Sequence, residues 1–562
     1  YGSCWLEIDS RSPGFNSSNP SSGRGWRTYL FIVTAIIAVP MLVIFASLLQ
    51  PFSSAWQHLF DTVLTDYITN SLLLMAGVGV GTLVLGVSAA WLTAMCEFPG
   101  RKILSWAFLL PMAMPAYIIA YIYTGILDFS GPLQTALRDT YQWQYGDYYF
   151  PEIRSLGGAI CMLSLVLYPY VYMLVRVAFL EQSTAVLEAS RNLGKKPWQT
   201  LFLVALPMAR PAIVAGVSLA LMETLADYGT VAYFGVSSFT TGIFRTWYGL
   251  GELTTAAQLC AFLMLFVFAL IMTERWSRQR LRFHHHSAQK KMVRLRLKGW
   301  RSALAISVGG LIVFLGFILP ATQLAIWASV GWQENINGDF FRLLFNSFSL
   351  AAIAAICCLM VAVFLAYTKR AFASRMELGA VAVASLGYAV PGTVIAVGVL
   401  IPVAWLDNQI DFLSTTWFDY PTGLLISGTI GLLVFAYLVR FLSVALNTLD
   451  SGLTAIKPSI DESARSLGAT PSRVLSRIHL PILRTSLLTA LLLVFVEVLK
   501  ELPTTLILRP FNFNTLAVRT YELASDERLV DAALPALAIV IIGLLPVLLI
   551  TKSILNERFS NE

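Results

Sequence analysis

Charge is scarce in this chain of 562 residues: Asp, Glu, Lys and Arg together make up 13%, about half the share of a soluble domain. With 57% apolar residues and a mean hydropathy of +0.70, much of the chain must have lipid as its solvent. A GxxxxGK[ST] phosphate loop is absent, so the chain is not its own ATPase. There is no nucleophile–base pair and no metalloprotease helix, which excludes an enzyme reading. The six cysteines (Cys4, Cys96, Cys161, Cys260, Cys357, Cys358) lack CxxC or zinc spacing and read as small packing residues. His284, His285 and His286 form a solvated patch in a basic linker. Residues 1–28, rich in Ser, Gly, Asn and Pro, read as a disordered cytoplasmic tail.

What is abundant is long apolar runs. Crossing the hydrocarbon core takes about 20 residues per helix, and twelve runs qualify: 29–49, 68–95, 103–127, 156–178, 209–235 and 254–273, then 302–330, 342–367, 377–404, 422–446, 484–506 and 533–554. They are continuous, unlike the short alternating strands of a barrel, so the expected fold is an all-α polytopic membrane protein of about twelve transmembrane helices. The first run is too long for a signal-peptide core and reads as a retained anchor. The net charge of +7 follows the positive-inside bias: with the N-terminus inside, roughly 31 of the 39 Lys and Arg fall in cytoplasmic segments. Both termini are then cytoplasmic. The basic run Arg275–Arg301 links two halves near anionic headgroups, with lipid as its partner and not nucleic acid.

The halves repeat one another. At an offset of 276, Asn70-Ser71 matches Asn346-Ser347 and Pro115 matches Pro391; at 274, Glu188, Gly194, Pro197 and Pro207 match Glu462, Gly468, Pro471 and Pro481. Glu223, Asp227, Thr230 and Arg245-Thr246 likewise match Glu497, Glu501, Thr504 and Arg519-Thr520. Six spans per half give two parallel six-helix repeats about an axis along the membrane normal. The expected organisation is a first repeat at 29–277 with its polar loop at 181–208, a basic linker at 278–301, and a second repeat at 302–562 with its loop at 455–482.

Each polar loop follows the fourth span of its half. Ser459-Ile460-Asp461-Glu462 has capping-box spacing and predicts a helix start. Gly194 and Gly468 suit the left-handed turn that closes a short helix, and Pro197 and Pro471 the first turn of the next one. Pro207 and Pro481 mark the start of the fifth span. The product is a helix-turn-helix elbow.

Glu188-Ala189-Ser190, Gly194 and Leu206-Pro207, repeated as Glu462-Ser463-Ala464, Gly468 and Leu480-Pro481, resemble the EAA loop of ABC-importer permeases. The resemblance implies a type I importer permease fold in a bacterial inner membrane. It also implies that each elbow docks on a cytoplasmic ATPase subunit. Two such subunits then hold ATP and Mg, while this chain binds no cofactor itself.

The fifth spans carry Glu223, Asp227 and Tyr228, repeated as Glu497 and Glu501. Acids at this depth are costly and face a partner or a watery path. Read as continuous helices, the spans place each acid pair on one face, and four such acids suit a hard cation held by oxygen, a transient metal site. Ion pairing is the competing reading: Glu497 with Lys500, Glu223 or Asp227 with Arg245, and the second pair with Arg519. Pro115 and Pro391 interrupt the third spans, as in broken helices that line a path or as packing kinks. The outer loop at 141–152, with Tyr141, Trp143, Tyr145, Asp147, Tyr148, Tyr149 and Glu152, reads as an aromatic belt, a docking surface or a transient Fe(III) site.

The segments Glu223–Thr230, Tyr233–Val236, Phe239–Trp247 and Leu508–Ala517 are similar to those of fused permeases of ferric-iron importers, a resemblance running from about residue 29 to 555. It implies a periplasmic binding protein that delivers Fe(III) for ATP-driven alternating access. Fused permeases for thiamine and phosphonate are built alike, and separate-chain relatives move polyamines, sulfate or molybdate; the acids argue modestly against anions. The rivals of another class are a secondary transporter driven by an ion gradient and a passive channel or scaffold.

Overall fold

The computed structural model describes residues 20–144, 146–182, 190, 192–279, 294–372 and 374–559. Among the described residues, ten helices are long and apolar enough to cross a membrane. Two bent pairs, Arg101–Ala113 with Ala116–Tyr141 (93°) and Pro471–Ile482 with Arg484–Lys500 (78°), raise the number to twelve. Each overlaps one of the expected runs, and the chain is an all-α polytopic membrane protein. The only sheet among the described residues is a parallel pairing of Cys96–Glu97 with Leu295–Arg296.

The chain forms two compact units, and each contains the opening helix of the other sequence half. One unit joins the chain up to Pro51 with Phe341–Thr515; the other joins Phe52–Phe340 with the chain from Leu516 on. In the first, helix Pro20–Ala46 packs along Arg375–Ala384 and Gly392–Phe418. Composition suggested disorder through residue 28, but the helix begins at Pro20. Trp26 stacks on Phe364 (4.8 Å) and Arg27 pairs with Glu377 (3.2 Å), which gives this segment tertiary partners.

In the second unit, helix Leu64–Met95 lies against Leu156–Glu181 through small residues: a Cβ at Gly77, Gly81 or Gly86 would collide with Ile160, Ser164 or Val171. Without a hydrophobic drive between helices in lipid, such close approach supplies the attraction by dispersion. Helix Leu206–Ala226 packs on the same partner at Gly216, where a Cβ would come within 2.7 Å of Val171 Cα.

Three Leu-Pro steps follow a wide π turn: Leu201–Ala205 before Leu206-Pro207, Phe314–Ile318 before Leu319-Pro320, and Leu475–His479 before Leu480-Pro481. A proline ring clashes with the carbonyl four residues back, and the i→i−5 turn opens space for it. The elbow's second helix therefore runs on into the fifth span through Pro207, the expected entry to that span. After Leu319 donates to Phe314, Pro320 has no N–H for Leu315, and the Tyr123 hydroxyl donates to that carbonyl instead (2.6 Å).

Gly216→Val is expected to destabilise the protein by about 1–3 kcal/mol through overpacking. Gly310→Val, at a position with open space within 4 Å, is expected to be neutral. Thermal unfolding of both variants in detergent checks the contrast.

Candidate functional site

The second elbow is a short helix, Pro458–Ser466, closed by Gly468 at φ +75°. Gly468 N–H donates to the Arg465 carbonyl (2.8 Å) and Ala469 N–H to that of Ala464 (3.0 Å), the paired bonds of a Schellman turn. In the first elbow Gly194 has φ +74°, and Lys195 N–H donates to the Ser190 carbonyl (3.2 Å), the equivalent outer bond. Ser190, buried, also bonds through its hydroxyl to that of Thr200 (3.0 Å). Glu188 and Ala189 lie outside the described residues. Glu462 and Ser463 are exposed and Ala464 is buried.

The capping box expected at Ser459 does not form: the helix starts a residue earlier with Pro458, behind Lys457. Its first-turn acid, Asp461, is buried and pairs with Arg370 (2.8 Å) and His479 (2.6 Å). Arg370 also donates to the carbonyls of Leu453 and Ile456, and the Tyr367 hydroxyl to that of Pro471 (2.7 Å). These bonds fasten the elbow to the end of helix Gly338–Ala371. Sequence reasoning also passed over Leu193 and Leu467, exposed to 78% and 88% immediately before each elbow glycine. Their recurrence at the same offset of 274 was the available signal.

Both fifth spans break at an acid. Helix Leu206–Ala226 stops at Asp227, and a short helix Gly229–Tyr233 follows; Arg484–Lys500 stops at Glu501, and Pro503–Leu508 follows. The one-face reading of each acid pair therefore fails, since the second acid lies in the break and caps the next helix. Asp227 accepts from the Thr230 N–H (3.0 Å), the Thr230 hydroxyl (3.0 Å) and the Val231 N–H (3.1 Å). Glu501 accepts through Oε1 from the Thr504 N–H (3.0 Å) and the Thr504 hydroxyl (2.6 Å). A carboxylate at a helix start satisfies orphan N–H groups and meets the positive end of the dipole.

The repeated asparagines hold the loops that follow. Asn70 donates to the Ser237 carbonyl (3.0 Å) and Asn346 to that of Asn514 (3.2 Å). The third spans break as expected: Pro115 precedes helix Ala116–Leu127 and Pro391 precedes Gly392–Phe418. In each repeat this third-span helix packs against the short helix beyond the fifth-span break.

A buried ion pair distinguishes the second repeat at this break. Arg440, on helix Ile430–Thr454, donates to Glu501 (3.0 Å), and both are buried. A Cβ at Gly392 would collide with Arg440, Thr504 and Glu501, so glycine makes room for the pair. At either repeat offset the first half has Ser164 or Val166 there, and Asp227 has no cationic partner among the described residues. Arg245 instead donates to the Ser237 hydroxyl (3.0 Å), and Arg519 lies beside Glu522 (3.6 Å). The expected Glu497–Lys500 pair is present (3.0 Å). Glu223 is half-buried near the end of its helix, and Tyr228 stacks on Phe244 (3.8 Å). Glu223 and Asp227 belong to one compact unit, and Glu497 and Glu501 to the other.

In the outer loop, Trp143 stacks on Tyr141 (4.7 Å) and Tyr148 (5.4 Å). The Tyr148 hydroxyl donates to Gln134 (2.7 Å) and accepts from Arg138 (3.2 Å). Tyr148 is thus engaged in holding the loop, and Tyr145 lies outside the described residues. No group of three or more His, Cys, Asp or Glu among the described residues is arranged to hold a metal ion.

Residues 82–282 match the family described as the inner membrane component of binding-protein-dependent transport systems. An Fe(3+)-transport system permease of Haemophilus influenzae is 25% identical over 94% of this chain and 98% of its own length. Nearly the whole chain, both repeats included, is thus similar to a transport permease. A ferric transport permease of Actinobacillus pleuropneumoniae is 23% identical over 76% of the chain and 62% of its own length. A molybdenum transport permease of Escherichia coli is 26% identical, over 35% of the chain and 85% of its own length. The chain is thus a multi-pass inner-membrane protein with the sequence likeness of transport permeases.

Removing one partner of a buried ion pair strands the other, at a cost of about 3–5 kcal/mol. Arg440→Met is therefore expected to lose most folded permease. Arg440→Met with Glu501→Gln, which leaves no buried charge, is expected to recover most of that loss. Yield and unfolding temperature across this double-mutant cycle check the pairing.

Proposed function

We propose that this permease moves ferric iron inward from a binding protein, by alternating access driven by ATP on separate subunits. Two copies of a cytoplasmic ATPase bind it, one at each elbow, with ATP and Mg held by those subunits; both termini are cytoplasmic. The observation that carries the coupling role is the repeated turn at Gly194 and Gly468, each presenting an exposed leucine on a polar loop. Iron is supported by the full-length similarity to the Haemophilus influenzae permease named for Fe(3+), and by oxygen donors in the broken fifth spans.

Within this reading the acids divide their work. Glu501 and Glu497 are offset by Arg440 and Lys500, whereas Asp227 meets three hydrogen-bond donors and no cation among the described residues. Asp227 is then the carboxylate that attracts a passing cation, with Glu223 behind it in the same span. Pro115 and Pro391 open the third spans where they meet the fifth-span breaks. Tyr228, Arg245 and Arg519 line or support this region.

Replacing both elbow glycines (Gly194→Leu with Gly468→Leu) forces a side chain into the left-handed region. ATP hydrolysis is expected to continue with iron uptake reduced at least tenfold; normal uptake in proteoliposomes would sink the coupling role. Asp227→Asn keeps a good cap and removes the charge, so uptake of radioactive iron is expected to fall at least tenfold with yield unchanged. Asp227→Ala is expected to lower yield as well. Undiminished uptake by the asparagine variant returns Asp227 to a purely capping role. Uptake driven by an ion gradient without any ATPase subunit would establish a secondary transporter instead.

A further inference from the structure

We infer that the permease carries a specific site for one anionic phospholipid, in the leaflet on the elbow side of the first repeat. An apolar groove of about 840 Å³ lies between helices Leu64–Met95, Leu206–Ala226 and Trp300–Val313. Its volume is in the range of small-molecule sites, roughly 300–1,000 Å³. Trp91, Leu206, Leu304 and Val308 are among its walls, while Trp300 and Arg301 line one end. From Trp300 to Val308 the helix rises about 12 Å at 1.5 Å per residue, close to the depth of one leaflet of a core about 30 Å thick. The groove is therefore long enough to take an acyl chain alongside the helix.

The charge at its mouth selects the headgroup. The strand pairing of Cys96–Glu97 with Leu295–Arg296 pins the basic segment there. Arg294 secures it by donating to the Ala94 carbonyl (3.2 Å) and pairing with Glu97 (3.7 Å). Glu97 also pairs with Arg101 (3.2 Å), so the acid at the mouth is already occupied. Arg296, Lys298 and Arg301 remain exposed, and the Arg301 guanidinium lies 5.7 Å from the centre of the Trp300 ring. Basic pockets between helices at this level hold anionic headgroups, and tryptophan seats at the same interface. A zwitterionic lipid fits the groove equally well, but its own ammonium balances its phosphate and leaves these cations without a net counter-charge. The wide turn at Leu201–Ala205 supplies Leu201 to the wall, so the lipid would touch the junction between the first elbow and its span.

The full-length permease, reconstituted in nanodiscs of phosphatidylethanolamine and phosphatidylglycerol and released into native mass spectrometry, tests the site. One phosphatidylglycerol adduct, enriched at least tenfold over the bulk composition, is expected. Arg296→Gln, Lys298→Gln and Arg301→Gln together should abolish that enrichment without altering the unfolding temperature. Val308→Trp should remove the adduct by filling the groove with the cations intact. Should that variant fold poorly, the charge variant, altered only at exposed positions, decides alone. No enriched adduct, detergent or phosphatidylethanolamine retained in its place, or enrichment that survives the charge variant, would overturn the inference.

Discussion

In lipid, every backbone N–H and carbonyl must find its partner within the chain, and several departures from regular helix here answer that demand with a named side chain. The fifth spans stop at Asp227 and Glu501, and the carboxylates take over the N–H groups that the restarting helices leave open. Asn70 and Asn346 supply donors to the loops beyond, and Tyr123 supplies one to the carbonyl that Pro320 strands. An unsatisfied group in this setting costs several kcal/mol. The fifth-span breaks are satisfied by these residues, and the two repeats break at the same place, each with a carboxylate as cap.

The two repeats differ in the charge they carry at matched positions. The second repeat holds Arg440 against Glu501 and fastens its elbow through Arg370, Asp461 and His479. The corresponding positions of the first repeat read Ala94, Leu187 and Ala205 for the elbow, and Ser164 or Val166 for Arg440. The two halves thus share a backbone solution and differ in electrostatics. A four-acid ring of equal members does not follow from the repeat, because one of its acids carries an arginine and another a lysine.

The spans and the elbow glycines were legible in the sequence because both are local: run length fixes the first, and a left-handed turn before a proline fixes the second. The fifth-span breaks were not recognised, although Asp227–Thr230 and Glu501–Thr504 both have capping spacing. They lie inside apolar runs, where continuity of hydropathy argues for an unbroken helix. Arg440 drew no notice for a similar reason: its partner is 61 residues away, and only tertiary structure joins them. Ser459 erred in the other direction. Its spacing is that of a capping box, but Pro458 starts the helix one residue sooner and Asp461 turns inward to Arg370.

These differences give each elbow its own mechanical connection to its break. In the first half the helix from Trp198 to Ala226 is a single piece of 29 residues, about 43 Å long at 1.5 Å per residue. A displacement of the elbow therefore reaches Asp227 along one rod. In the second half a 78° bend after Ile482 interrupts that route. Helix Gly338–Ala371 offers another: Arg370 near one end grips the elbow at Asp461, and Asn346 near the other grips the loop at Asn514. That helix carries a displacement past the bend to the segment beyond Glu501. The buried pairing around Asp461 thus gives the second elbow a link that its bent fifth span does not.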